Sequence, residues 1–152
     1  SHPDYPLRRE VMDLAQLKKY PVVDISASIE REIADLEGDE KQLFMEEIGI
    51  EEAGIIKISR SMYYLLGLIS FFTVGEDEVK AWTINQGDKA KKAAGKIHSD
   101  IERGFIRAEV VEYQDLKELG NMQAVKEKGL FRLEGKEYIV KDGDIVHFRF
   151  NI

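Results

Sequence analysis

The sequence predicts an α+β protein whose helices lie mainly in the first half of the chain and whose strands lie mainly in the second. Apolar residues recur at helical spacing up to about residue 66, and from Phe71 their period changes to two. A strand, a helix that packs across the sheet and further strands then follow, which is the order expected of a ubiquitin-like β-grasp sheet. The length of 152 residues suits one ordinary domain or two small units.

The first 27 residues have the pattern of the end of another domain. Apolar residues from Leu7 to Tyr20 recur at helical spacing, and Pro21 ends that helix. Residues 22–25, Val-Val-Asp-Ile, predict a short strand. Because a helix and a single strand cannot bury their own faces, we expect this strand to join a larger sheet.

Three helices are predicted between residues 28 and 68, where they form a helical connector. The first ends near Gly38, the second ends at Gly49, and the third runs from about residue 51 to residue 66. The third has an apolar stripe wide enough to contact more than one neighbour. Its last turn begins the long apolar run of residues 62–74, which predicts a buried helix end that continues into a strand.

Residues 69–152 predict the sheet. The residues from Val79 to Ile84 alternate as in a strand, and a single helix then runs from Asp88 to Arg103. Asp88 is a good N-cap for that helix, and Gly104 lies where a helix commonly ends. The other predicted strands are 106–110, the two arms of a small hairpin at 131–133 and 138–140, and 145–150.

The net charge of −7 is unevenly distributed along the chain. Ten acidic residues lie between Ser28 and Glu52 against only Arg31 and Lys41, so the rest of the chain is close to neutral. A run of this kind is typical of solvated helix faces, and the alternative is a negative patch for a basic partner. Because the C-terminal half is not acidic as a unit, contact with RNA there is compatible with its charge.

The composition excludes several classes of protein. There is no cysteine, which excludes a disulfide framework and thiol metal ligands. No apolar run approaches the roughly 20 residues that a membrane-spanning helix needs, and no charged start followed by an apolar stretch indicates a signal peptide. We therefore expect a cytoplasmic protein that makes no membrane contact and holds no metal.

Four segments of residues 69–152 carry a family resemblance. They are Ile69-Ser-Phe-Phe-Thr-Val-Gly75, Val79-Lys-Ala-Trp-Thr-Ile84, Ala94-Gly-Lys-Ile-His-Ser-Asp100 and Tyr138-Ile-Val-Lys-Asp-Gly-Asp-Ile-Val-His-Phe-Arg-Phe150. Together they closely resemble the C-terminal TGS domain of the YchF-type GTPases/ATPases, a branch of the Obg family. The resemblance implies a ubiquitin-like β-grasp fold for residues 69–152. TGS domains also occur in threonyl-tRNA synthetases and ppGpp synthetases, so the resemblance further implies an RNA-binding or regulatory module.

Members of that family carry an upstream P-loop domain that binds ATP or GTP with Mg²⁺, and they bind ribosomal particles. The P-loop signature, G-x-x-x-x-G-K-[ST], does not occur in this sequence. Gly95-Lys96 is followed by Ile97 and Gly135-Lys136 by Glu137, so no hydroxyl group follows either lysine to hold Mg²⁺. The resemblance therefore implies the non-catalytic C-terminal part of such a hydrolase, without a cofactor of its own. Residues 1–27 are then the remnant of the P-loop domain.

The turn Ser26-Ala27-Ser28 directly follows the predicted strand of residues 22–25. It resembles the Ser-Ala-Lys element that closes the base pocket of P-loop GTPases, with Ser28 in place of the lysine. The resemblance implies that the backbone at Ala27 meets the purine ring in the intact parent protein, where a small side chain leaves room. A strand-to-helix turn capped by serine is the purely structural interpretation, and it is compatible with the functional one.

Basic residues occupy one side of the predicted helix from Asp88 to Arg103. An ordinary solvated face explains this pattern, and a phosphate-contacting surface is the functional alternative, which the family resemblance supports. On that alternative the partner is a ribosome or structured RNA and not DNA. A protein-interaction module with a ubiquitin-like sheet and no nucleic-acid role is the other interpretation of the whole chain. The four candidate contacts are Lys89, Lys92, Lys96 and Arg103, roughly opposite Ala90, Ala94, Ile97 and Ile101.

Two further side chains are predicted to be structural. His98, at the flank of the same helix, is expected to form a hydrogen bond between the helix and the sheet. No second histidine or carboxylate lies at ligand spacing from His98, so the sequence predicts no metal site there. Trp82 is expected to pack beside Ile84 and not to stack on a base.

Overall fold

The change of apolar period near residue 67 coincides with a change of architecture. The computed structural model describes residues 6–75 and 77–151, and the chain divides into two units at Leu66 and Gly67. We name them the helical unit, up to Leu66, and the sheet unit, from Gly67. The predicted α+β class is confirmed. No helix in the described residues is both long and apolar enough to cross a membrane.

The described residues of the helical unit, 6–66, form four helices around a small interior. Ile33 is almost completely buried, and Ala15 and Ala53 are buried as well. A hydrogen bond joins the second helix to the start of the fourth: Glu30 Oε1 accepts from the Gly54 backbone N–H at 2.8 Å. The four helices are α1 (Pro6–Lys18), α2 (Ala27–Ala34), α3 (Gly38–Glu47) and α4 (Gly54–Leu65).

Two predictions for the helical unit are wrong. Residues 22–25 form no strand, because a strand requires a neighbour for its backbone groups and no described strand lies alongside this segment. The end of α4 is exposed instead of buried, with Leu66 retaining 64% of its accessible surface. Four short helices enclose too little volume to cover every apolar side chain that the sequence supplies.

The sheet unit contains a five-stranded mixed sheet in the order β2-β1-β5-β3-β4. Strands β1 and β2 form an antiparallel hairpin, β1 and β5 run parallel beside each other, and β3 is antiparallel to both β5 and β4. Its elements are β1 (Leu68–Val74), β2 (Val79–Asn85), α5 (Ala90–Ile97), α6 (Ser99–Arg103), β3 (Phe105–Glu112), α7 (Tyr113–Leu119), α8 (Met122–Glu127), β4 (Arg132–Glu134) and β5 (Asp144–Phe150).

One face of the sheet packs against α5 and forms the core of the sheet unit. The fully buried residues of the helix are all alanines, so its backbone approaches the sheet closely, and Ile97 packs against the same core at the end of the helix. Phe71 and Phe148 meet edge to face, with ring centroids 5.9 Å apart at 86°. We call this side the covered face and the opposite side the open face, although Val111 and Ile145 on the open face are also buried. The buried core residues are Phe71, Ile84, Ala90, Ala93, Ala94, Ala108, Val110, Val140, Val146 and Phe148.

The open face follows from the alternation of side chains along each strand. Val146 and Phe148 belong to the core, so the neighbouring His147 and Arg149 point to the other side of β5. In β3 the core residues Ala108 and Val110 place Arg107, Glu109 and Val111 on the open face in the same way. The remaining open-face positions are Leu68, Ser70, Phe72 and Val74 of β1, Val79, Ala81, Thr83 and Asn85 of β2, Leu133 of β4 and Ile145 of β5.

The predicted helix from residue 88 to residue 103 is two helices. His98 has extended backbone angles, φ −161° and ψ 144°, and separates α5 from α6. Lys89 is the N-cap residue of α5, so the prediction of Asp88 as the N-cap is wrong. Gly104 does end α6, and the chain needs glycine there. A Cβ at Gly104 would lie 2.0 Å from the carbonyl oxygen of Asn151, whose N–H donates to Gly104 at 2.9 Å.

The predicted hairpin of residues 131–140 is also wrong. Strand β4 pairs with β3, while Ile139 makes only an isolated bridge to Lys89. The segment after β4 instead supplies hydrogen-bond donors to Asp144, which is buried and whose carboxylate needs them. The Tyr138 hydroxyl donates to Asp144 Oδ2 at 2.7 Å, and the Lys141 N–H donates to the same oxygen at 2.9 Å.

Helices α7 and α8 connect β3 to β4 and are not predicted by the sequence pattern. Both are shorter than two and a half turns, which gives an apolar period too few repeats to be recognised. Gly120, at φ 76°, ends α7 in the left-handed conformation. The Asn121 side chain caps α8 by accepting a hydrogen bond from the Ala124 N–H at 2.9 Å.

Candidate functional site

The turn Ser26-Ala27-Ser28 lies at the start of α2 and is exposed. Ser26 occupies the N-cap position, but its side chain makes no capping hydrogen bond. Its hydroxyl oxygen instead lies 3.1 Å from that of Ser28. The predicted serine cap is therefore wrong, although the position of the turn before a helix is correct. The role of these residues at the rim of a purine pocket stays a prediction.

The four basic candidates lie on exposed positions of α5, α6 and the residue before α5. Lys89 precedes α5, Lys92 and Lys96 lie one turn apart within α5, and Arg103 is the last residue of α6. Because the chain is extended at His98, Arg103 belongs to a different helix from the lysines. Their contact with RNA stays a prediction.

Three of the four candidates already have an anionic partner within the sheet unit. Lys92 Nζ lies 2.7 Å from Asp88 Oδ1, and Lys89 forms an ion pair with Glu137. Arg103 forms an ion pair with Asp100. Lys96 makes no ion pair with any residue that the structure describes. The basic side predicted from the sequence is thus largely neutralised by neighbouring carboxylates.

The ion pairs also lower the pKa of the carboxylates that form them. Partial burial raises the pKa of Asp88, but hydrogen bonds from Lys92 and from the Asn85 N–H outweigh it and bring the pKa below its usual value. The hydrogen bond from Arg103 lowers the pKa of Asp100, and that from Lys89 lowers the pKa of Glu137. These carboxylates are therefore charged at neutral pH and remain partners for the cations.

His98 holds α6 and not the sheet. Its Nδ1 accepts a hydrogen bond from the Asp100 N–H at 3.2 Å, so the imidazole is the N-cap of α6. The predicted hydrogen bond between helix and sheet is wrong. The backbone at His98 is extended, and the side chain reaches the first turn of α6 instead of the sheet.

Trp82 packs at the edge of the core, as predicted. The ring lies against the core residues, its Nε1 donates to Thr73 Oγ1 at 2.9 Å, and Lys80 Nζ lies 4.5 Å from the ring centre. Because the indole nitrogen and one side of the ring are already occupied, the tryptophan is better placed to stabilise the β1–β2 hairpin than to stack on a base.

Three polar side chains that can donate hydrogen bonds lie together on the open face: Arg107, His147 and Arg149. Arg107 and Arg149 are directly opposite each other in the β3–β5 ladder. Glu109 lies opposite His147, and its Oε1 accepts a hydrogen bond from Arg149 Nε at 2.8 Å. The Arg107 side chain makes no hydrogen bond or ion pair with any residue in the described part of the chain.

These three open-face side chains are not among the predicted candidates, although the sequence carries a signal for them. Arg107 alternates with apolar residues in β3, as His147 and Arg149 do in β5, so the alternation places each on the side away from the core. Which strands are neighbours cannot be read from alternation. The opposition of Arg107 and Arg149 is therefore visible only once β3 and β5 are known to pair.

In the described part of the sheet unit, neither metal ligands nor a cavity offers a further site of this kind. Within residues 6–75 and 77–151, no three His, Asp or Glu side chains are grouped as metal ligands. One open cavity of about 370 Å³ lies between the end of β3 and the turn before β5. Its lining includes Glu112, Lys141 and Asp144, which are already bound to one another or to neighbouring residues.

Comparison with known proteins identifies similar sequences. The family model YchF-GTPase_C, described as a protein of unknown function (DUF933), matches residues 68–151. The chain is 53% identical over 146 residues to the ribosome-binding ATPase YchF of Bacillus subtilis, a match that covers 92% of this chain and 40% of that protein. It is 48% identical over 147 residues to the protein of the same name from Haemophilus influenzae, covering 97% and 40%.

The fold is similar to that of a solved structure from the same group. The Schizosaccharomyces pombe YchF GTPase matches with a TM-score of 0.73 and 36% identity, over 82% of this chain and 33% of that chain. The mixed fold with its five-stranded sheet therefore corresponds to a C-terminal region of that protein group. The chain spans about 40% of the length of the curated relatives it matches.

Proposed function

This chain belongs to the YchF family and corresponds to its C-terminal part, as the motifs in its sequence predict, and on that premise we propose that it is the ribosome-binding, non-catalytic part of a nucleotide hydrolase. The observation that carries the proposal is the 53% identity, over nearly the whole chain, to a protein named a ribosome-binding ATPase. A cytoplasmic location, where ribosomes are found, belongs to the same proposal.

The sheet unit is proposed to be a TGS domain of the β-grasp type. The strand order β2-β1-β5-β3-β4, with β1 and β5 parallel and α5 across one face, supports this assignment. In this division residues 69–152 form the TGS domain, residues 28–68 the helical connector, and residues 1–27 the remnant of a P-loop domain.

Nucleotide chemistry is proposed to reside in an upstream P-loop domain, which would supply the site for ATP or GTP with Mg²⁺. In that intact protein the turn Ser26-Ala27-Ser28 would form part of the rim of the base pocket. The chain by itself is expected to hydrolyse neither nucleotide. Phosphoryl transfer depends on a lysine and Mg²⁺ around the β- and γ-phosphates, and the sequence contains no P-loop to hold them.

Ribosome binding by this chain can be tested by co-sedimentation with purified ribosomal particles at about 50 and 200 mM salt. We expect the chain to sediment with the particles at low salt and to be released at high salt, because contacts with phosphates release counterions. A sample without particles controls for aggregation. Absence of co-sedimentation at low salt contradicts the proposal.

Binding that is insensitive to salt would favour the alternative, a protein-interaction module. One observation makes that alternative specific: α4 exposes large apolar side chains that suit a protein partner better than RNA. The exposed residues of α4 include Ile55, Ile56, Met62, Tyr64 and Leu65.

A further inference from the structure

We propose that Arg107, His147 and Arg149, on the open face of the sheet, form the site at which this chain contacts the phosphate backbone of structured RNA. The inference rests on the proposed ribosome binding and locates its main contact. It places that contact on strands β3 and β5, on the side of the sheet opposite to α5.

The first reason is the position of the two arginines. Arg107 and Arg149 are direct partners in an antiparallel ladder and point to the same face. Like charges at directly opposite positions destabilise a sheet. Glu109 relieves only one of them, through its hydrogen bond with Arg149. A bound phosphate would relieve the other, since a guanidinium group can donate two parallel hydrogen bonds to phosphate oxygens.

The second reason is the charge around the site. Among the strand residues of the open face that the structure describes, Glu109 is the one carboxylate, and its side chain is only 17% exposed. Arg107, His147 and Arg149 are all exposed. The outer surface of the site is therefore formed by hydrogen-bond donors, which is the chemistry that binds phosphate.

The third reason is the contrast with the helix side. There Lys89, Lys92 and Arg103 each have a carboxylate partner, so a phosphate would have to displace an existing ion pair. At Arg107 a phosphate displaces only water, because this side chain is unpaired within the described residues. We therefore expect the open face to bind phosphate more tightly than the side of the sheet unit that carries α5 and α6, even with equal numbers of cations on each.

The site suits phosphates better than bases. Proteins that bind single strands present exposed aromatic rings on which bases stack. On the described strands of the open face the one phenylalanine, tyrosine or tryptophan ring is that of Phe72, which is half-buried with its centroid 6.4 Å from the ring of Tyr113. We therefore expect binding of base-paired RNA with little dependence on sequence.

The test compares two matched charge reversals in the full chain, Arg107→Glu on the open face and Lys96→Glu on α5. Both side chains are exposed, and both are unpaired within the described residues. Binding is measured against a fluorescently labelled RNA hairpin and against ribosomal particles, each over a series of salt concentrations. Arg107→Lys is the third variant, because it keeps the charge and removes the two parallel donors.

We expect Arg107→Glu to weaken hairpin and particle binding about tenfold and to reduce the salt slope by about 1. Lys96→Glu should weaken binding less than about threefold, and Arg107→Lys should keep the salt slope. A reversed order of the two Glu variants overturns the inference and leaves ribosome binding intact. Loss of particle binding with hairpin binding unchanged also overturns it, since the face would then meet a ribosomal protein. A parent chain that binds neither probe overturns the proposed function and this inference together.

Folding of the variants is checked by their thermal unfolding midpoints. Arg107→Glu removes a like-charge pair and places a carboxylate opposite Arg149, so it should not destabilise the sheet. If Arg107→Glu fails to fold, the expectation is transferred to Arg107→Gln, which should weaken hairpin binding and reduce its salt slope. Unchanged hairpin binding by a folded Arg107→Gln chain overturns the inference.

Discussion

The two faces of the sheet differ in what their side chains can do. On the covered face, α5 contributes Ala90, Ala93 and Ala94 with no accessible surface, and the aromatic rings of the strands fill the space beneath them. On the open face, Arg107 and Arg149 lie opposite each other and remain exposed. The covered face holds the main core, and the binding proposed above lies on the opposite side of the same strands. Substitutions on the two sides should therefore have separable effects.

The largest difference is expected between Phe71→Ala and Arg107→Gln. Phe71 is completely buried in the core, so its truncation should lower the free energy of unfolding by about 3–5 kcal/mol through lost burial and the cavity left behind. Arg107→Gln on the open face should change it by less than about 0.5 kcal/mol. Urea unfolding followed by the fluorescence of Trp82, the single tryptophan, measures both. Similar losses in the two variants would contradict the separation of the faces.

A smaller effect is expected where two backbone segments meet at the end of the covered face. Gly104→Ala places a Cβ 2.0 Å from the Asn151 carbonyl oxygen, so the last residues of the chain must move. We expect a loss of about 1–3 kcal/mol in the free energy of unfolding, as for other overpacked sites. Gly135→Ala is the matched control, because a Cβ there meets no atom within 4 Å. Equal stability of the two variants would show that the approach of Asn151 to Gly104 is not tight.

The smallest effect concerns pH. Burial, with the hydrogen bond to Asp144 and the charge of Asp144, raises the pKa of Tyr138 from 10.0 to about 12, although Arg132 acts in the opposite direction. The folded chain therefore holds this proton more tightly than the unfolded chain. The resulting stabilisation is fully present below about pH 10 and is lost as the pH rises towards about 12.

Alkaline titration of tyrosine absorbance tests this expectation. In the parent chain one tyrosine should ionise later than the others, and in Tyr138→Phe that late component should be absent. The difference in unfolding midpoint between the two proteins should shrink between about pH 10 and pH 12. A late component that persists in Tyr138→Phe would assign the raised pKa to another tyrosine.

The sequence predicts most elements because their apolar periods are long enough to read. The change from helical spacing to alternation separates the two units, and Ala90 and Ala94 are correctly placed on the apolar side of their helix. The break at His98 is invisible to this pattern, since apolar residues keep helical spacing across it up to Ile101. Residues 22–25 have the composition of a strand, but composition does not supply the neighbour that a strand requires.

The candidate site is less predictable because it depends on side chains far apart in sequence. Lys89 pairs with Glu137, 48 residues later, and no local pattern indicates that partner. The four basic candidates are correctly predicted to be exposed, but neither their neutralisation nor the pairing of β3 with β5 can be read from spacing. Exposure follows from periodicity, whereas the charge of a surface depends on tertiary contacts.

Mapping the RNA contact on the folded chain tests the separation of the two faces most directly. Backbone amide shifts are followed by two-dimensional NMR while a labelled chain is titrated with the RNA hairpin. We expect the largest shifts at Arg107, His147 and Arg149, with little change at Lys92 and Lys96. Large shifts confined to the two lysines, with the open-face amides unchanged, would contradict the location of the binding site on the open face.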